Sequence, residues 1–121
     1  MDLLDRMLGH DPWTTEHLLE MSKDLSDEQL DQDFDIGHRT LRKTFDHMIL
    51  ALEFWTGFMD GKPVDWAPRS TSIDEMIERH AKAYAHFTSV ARDRVATNRL
   101  DELFIDHYNY LQSYGATIIH V

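Results

Sequence analysis

The chain predicts an all-α fold, an up-down four-helix bundle whose fourth helix is truncated. Two long stretches with apolar residues at helical spacing predict it, together with an amphipathic segment near the start and a helical stub at the end. The clearest stretch is His38 to Asp60. There Leu41, Phe45, Met48, Leu52, Trp55 and Met59 recur at spacings of 4, 3, 4, 3 and 4, which at about 100° per residue makes one apolar stripe. Arg42, Asp46, Glu53 and Asp60 gather opposite it as the expected solvated face. His47 stands off that face, in line with Ala51, Phe54 and Phe58. An imidazole on an apolar row is either a satisfied core histidine or a ligand.

A length of 121 residues predicts a single domain over 1–121, long enough to bury about two thirds of its unfolded surface. No run approaches the roughly 18 apolar residues of a membrane span, and the acidic start Met1-Asp2 lacks a signal peptide's basic region. The expected location is the cytoplasm. A net charge of −10 repels phosphate backbones, so neither nucleic acid nor an anionic membrane is expected as a partner. With no cysteine, disulfides, thiolate metal sites and a cysteine nucleophile are excluded. There is no Gly-rich phosphate loop and no G-x-S-x-G. Eight histidines in 121 residues direct attention to metal and acid–base chemistry.

In chain order, Met1 to Gly9 offers an apolar edge too short to be a helix alone. Asp11-Pro12 is a start signal, Asp as cap and Pro at the first helical position. A helix from Pro12 to about Asp24 is expected, either separate from the first segment or continuous with it through a kink, with Thr14, Leu18, Met21 and Leu25 as its core stripe and His10 and His17 at the stripe's edge. Ser26 and Gln29 form a capping box for one short turn of helix. Gly37 breaks the chain before the central helix, which ends near Gly61 and Pro63. Trp66 and Pro68 are expected in a loop over the bundle end. Ser72 and Glu75 cap a helix running to about Thr97, with Ile73, Ile77, His80, Tyr84, Phe87 and Ala91 inward. His80 is then a core hydrogen-bonding residue or part of one interior site with His47. Leu100 to Tyr114 lacks a helical period and reads as an aromatic loop, extended at Leu103 to Asp106. Ser113 caps a last helix that stops at Val121.

Three stretches, GHDPWTTEHLLE (Gly9 to Glu20), LSDEQLDQDFDIGHRTLRKTFDHMILALEFWTGFMDG (Leu25 to Gly61) and LQSYGATIIHV (Leu111 to Val121), together resemble the DinB family of metal-dependent helical bundles, the DinB/YfiT-like fold. The most specific part holds D-H-M-I, Asp46 to Ile49, whose histidine is a metal ligand in such proteins. The resemblance therefore implies His47 as a ligand. It also implies a divalent transition metal, zinc or nickel, held with two further histidines at H-x-x-x-H spacing on the last helix. That pair is lacking here: the sequence ends at Val121, just after His120.

Two functions follow. The first is a metal-dependent enzyme of thiol-transferase or hydrolase type acting on a small-molecule substrate, with His47 as ligand and His10, Trp13, Trp55 and His80 lining the pocket. The second is a non-catalytic homodimer in which a partner's helix covers the unfinished core. Metal occupancy well under one equivalent is expected with the H-x-x-x-H pair missing.

Overall fold

The structure, a computed structural model, describes residues 2–65 and 72–121. The expected loop at Trp66 and Pro68 lies outside them. Among the described residues the chain is mainly helical, as a bundle requires. In order come α1 (Leu3–Met21), α2 (Asp27–Leu30), α3 (Leu41–Met59), α4 (Ile73–Ala96), a hairpin of β1 (Leu103–Ile105) and β2 (Leu111–Ser113), and α5 (Tyr114–His120). These residues gather into two compact units, one from 2–49 and 72–82 and the other from 50–65 and 83–121, with α3 and α4 contributing to both.

In the first unit, Asp2 opens α1. Its carboxylate accepts the Asp5 N–H, and the Asp5 carboxylate accepts the Asp2 N–H in return. This box starts the helix nine residues before the expected cap at Asp11, so Pro12 sits inside a continuous helix. The proline removes one backbone bond to the preceding turn, and the helix persists because Leu8 and Leu19, on either side of it, are both buried. The inward face also differs from the expected stripe. Leu8, Leu19 and Ser22 are buried, whereas Leu18 and Met21 are exposed. The core that sets this rotation is Leu19, Leu30, Phe45, Ile49, Ile73 and Met76, flanked by Leu25, Leu41 and Ile77. Leu30 reaches it from α2, which Ser26 and Gln29 cap as their spacing predicts.

α3 is covered more completely than an amphipathic helix. Only Lys43 and Met48 along it are exposed, so Met48 leaves the expected stripe and Asp46 leaves the expected solvated face for the interior. The helix ends as the sequence indicates. Gly61 adopts φ +70°, and the Lys62 N–H returns to the Gly57 carbonyl at 2.8 Å, the closure that a left-handed residue permits. Gly57 is needed at the other side of this bond, because a Cβ there would lie 2.7 Å from the Lys62 oxygen. α4 starts where Ser72 accepts the Glu75 N–H. It stops by the same device as α3, with Asn98 at φ +55° and the Arg99 N–H on the Arg94 carbonyl.

In the second unit, Arg94 of α4 donates to the last carbonyl of α3, at Met59, at 2.9 Å, and its guanidinium lies 4.5 Å from the centre of the Tyr114 ring. Phe104 stacks on the same ring at 5.3 Å. Within the aromatic stretch expected as a loop over Leu100 to Tyr114, the segment expected to be extended from Leu103 is β1, and it pairs with β2 in a hairpin that the sequence did not indicate. Leu103 pairs with Ser113, Phe104 with Gln112 and Ile105 with Leu111. Its turn is held by the buried carboxylate of Asp106, which accepts the Tyr108 and Tyr110 N–H groups and the Gln112 amide. Burial alone would raise this carboxyl's pKa, but those three donors, Gln112 foremost, hold it below the usual range.

Two glycines give opposite expectations. Gly57→Ala must displace backbone, and urea unfolding is expected to show a loss of about 1–3 kcal/mol. Gly9→Ala, in open space within α1, is expected to gain up to about 1 kcal/mol from helix propensity.

Candidate functional site

The site residue singled out by the sequence, His47, is half-buried on the second turn of α3. Its ring stacks on that of His38, with centroids 3.9 Å apart and planes 28° apart. Sequence reasoning gave His38 no role. The loop before α3 brings it there. Gly37 and Arg39 both take positive φ, +51° and +75°, and the Phe34 N–H bonds the Arg39 carbonyl at 2.7 Å. The Arg39 guanidinium clasps both oxygens of Asp33 at 2.8 Å and reaches Asp35 at 3.1 Å. Thr40 then caps the helix by accepting the Lys43 N–H. The loop is thus folded back on itself, and His38 at its end meets the helix one and a half turns on. The legible signal was Gly37 beside a Thr cap, which marks a sharp reversal just before the helix.

Electrostatics keep His47 neutral. Burial lowers its pKa, the neighbouring His38 lowers it further, and adjacent Asp46 only partly opposes them. Asp46 is itself buried and bonded to Arg79 at 2.7 Å, which engages its charge elsewhere. A neutral imidazole keeps a lone pair for a proton or a metal ion. Beside His38, the loop and the first turn of α3 border a shallow, largely apolar hollow of about 300 Å³, with Phe34, Ile36, Leu41 and Thr44 in its wall.

His80, on α4, is buried as expected, with 2% of its surface exposed. Burial lowers its pKa and Glu16 of α1 opposes that. His10 is exposed and borders a surface hollow with Arg6, Met7 and Asp11. Trp13 is 66% exposed and stacks on His17 at 5.4 Å.

The second unit holds an aromatic group of its own. Trp55 has the His107 ring 5.9 Å away and the His120 ring 6.1 Å away, both edge-on, and His107 also packs on Phe54 at 4.7 Å. Trp55 and His120 border a hollow of about 270 Å³ with Gln112 and Thr117. The hairpin brings His107 there, so the sequence, read as a loop, gave no reason to place it.

The family model of the DinB superfamily matches residues 12–121. The chain belongs to the DinB superfamily. The comparison with curated proteins finds no match. Superfamily members are often metal-binding, and the donors around His47 can be weighed against that. Among the described residues no group of three His, Cys, Asp or Glu side chains is placed to hold an ion. The imidazole that stacks on His47 is that of His38, whereas a catalytic zinc needs three protein ligands and an open position. These residues therefore do not fit a complete three-ligand centre.

The depressed histidines of this DinB-superfamily chain have a linked consequence. His47 and His80 ionise below the ordinary value of 6.5 in the folded state, so on acidification the unfolded chain takes up the protons first. Their contribution is full above about pH 6.5 and is lost as pH falls through their folded pKa values. Urea unfolding is expected to show stability falling from pH 6.5 downward, with a shallower slope in His80→Gln and in His47→Gln.

Proposed function

We propose that this chain serves a divalent transition metal, zinc or nickel, through His47, with His38 as the second imidazole and with affinity that is weak when these two are the only donors. The observation that carries it is the stacked pair of imidazoles, 3.9 Å apart between ring centroids, in which burial and His38 favour the neutral form of His47 that a metal requires. Membership of the DinB superfamily supports the same reading. Imidazole suits zinc and nickel better than magnesium or calcium. Two nitrogens leave most of an ion's coordination to water, which is why weak binding is expected. A small-molecule substrate with an apolar portion fits the hollow of Phe34, Ile36 and Leu41 beside His38, where a pocket of this size and lining is large enough for one. A metal-dependent transferase or hydrolase is the enzyme class such a site would serve.

Competition titration of the purified chain with a chromophoric chelator tests this. Zinc is expected to bind at one site and to be lost on dialysis, leaving well under one equivalent. His47→Ala and His38→Ala are each expected to lower the affinity about tenfold or more, the loss of one of two ligands. A full equivalent retained through dialysis, or an affinity indifferent to His47→Ala, would contradict the proposal.

A further inference from the structure

The rotation of α1 that buries Leu8 and Leu19 leaves a second apolar face uncovered. Leu3 (73% exposed), Met21 (66%) and Met7 lie with Thr14 within a sector of about 40° at 100° per residue, flanked by the exposed Leu18 and Trp13. Five large apolar side chains along one helix of 19 residues are more than scattered surface exposure. Leu3, Met7, His10, Thr14, His17 and Met21 follow one another at spacings of 4, 3, 4, 3 and 4, the repeat of a helix that packs along another helix.

The face is also complementary to itself. In an antiparallel pair of α1 helices related by a two-fold axis, Leu3 meets Met21, Met7 meets His17 and His10 meets Thr14, each contact occurring twice. An isologous interface requires this reciprocity. On one flank of the repeat stand Arg6, Trp13 and Glu20. The same pairing puts Arg6, the only Lys or Arg on α1, opposite Glu20 of the second copy, and Trp13 opposite Trp13. On the other flank Leu4 meets Leu18, and Asp11 meets Asp11, the one repulsive contact. Arg6 and Glu20 are both exposed, and the Glu20 partner within the chain is the surface residue Lys23 at 3.0 Å.

We propose that α1 pairs antiparallel with α1 of a second copy of this chain across a two-fold axis at the level of Pro12. The interface rests on α1 alone and is independent of metal at His47. The antiparallel alignment sets Arg6 against Glu20 at both ends, whereas the parallel one would set Arg6 against Asp11, leave Glu20 without an opposite charge across the interface and put His10 and His17 each against its own copy.

Sedimentation of the full chain tests it. A dimer is expected, with dissociation raised roughly tenfold by Arg6→Glu or by Glu20→Arg, each of which turns two attractive contacts repulsive. The combined charge swap Arg6→Glu/Glu20→Arg is expected to restore it, Asp11→Asn to tighten it and Met21→Glu to abolish it. Because the chain has no cysteine, Trp13→Cys is expected to be linked to itself by a short bis-maleimide far more readily than Glu28→Cys on α2. A monomer overturns the proposal, whether its α1 face stays bare or accepts the helix of another protein. A dimer unmoved by the charge reversals and by Met21→Glu, or cross-linked no better at 13 than at 28, overturns it as well.

Discussion

A helix covered on nearly every side cannot leave a charge without a partner, and that constraint organises what surrounds α3. Removing a carboxylate or guanidinium from water costs several kcal/mol unless an opposite charge and hydrogen bonds replace the lost hydration. Three of the four charges on the supposed solvated face, Arg42, Asp46 and Asp60, have such a partner. Arg42 holds Asp27 and Asp31 at 2.7 and 2.8 Å, which ties α2 and the following loop to the start of the helix. Asp46 holds Arg79 of α4 at 2.7 Å. Asp60 holds His86 at 2.9 Å, and that bond keeps its carboxyl below the usual range. The ion pairs are thus consequences of coverage, and they fix where α2, the loop and α4 meet α3.

The same coverage shapes the candidate site. His47 follows Asp46 directly, and once Phe45 and Ile49 are committed to the first unit's core, its ring is turned to an edge that is neither core nor open solvent. His38 closes over it because the loop from Asp31 to Thr40 is braced by Arg39 and its two carboxylates. Desolvation and a second imidazole then act in the same direction on the His47 proton. The preference of His47 for its neutral form thus follows from packing, without any special chemistry at the residue itself.

The parts legible in the sequence were those governed by local chemistry. The caps at Ser26, Ser72 and Ser113 and the stop at Gly61 stand where spacing put them, because a cap is a bond between near neighbours. His80 could be placed at the centre of the buried face of α4 for the same reason: Ile77 and Tyr84 bracket it at helical spacing. Rotation was harder. α1 carries two apolar faces, and periodicity alone favoured Leu18 and Met21 over the Leu8 and Leu19 that are buried. Asp11-Pro12 gave a strong local start signal that the Asp2–Asp5 box overrode. The hairpin was hidden because its strands are three residues each and its turn depends on Asp106, which acts through three separate donors. His38 and His107 became visible as site neighbours only once those loops had a shape.

The measurement that tests this account most directly is a double-mutant cycle on the buried pair of α3 and α4. Unfolding free energies would be compared for the unaltered chain, Asp46→Ala, Arg79→Ala and the double variant. If coverage of α3 is what forces its charges to pair, the two single losses overlap, and the cycle gives a coupling of about 1–3 kcal/mol. Additivity within about 0.3 kcal/mol would mean that the two charges are independently solvated, and would contradict the enclosure on which the rest depends.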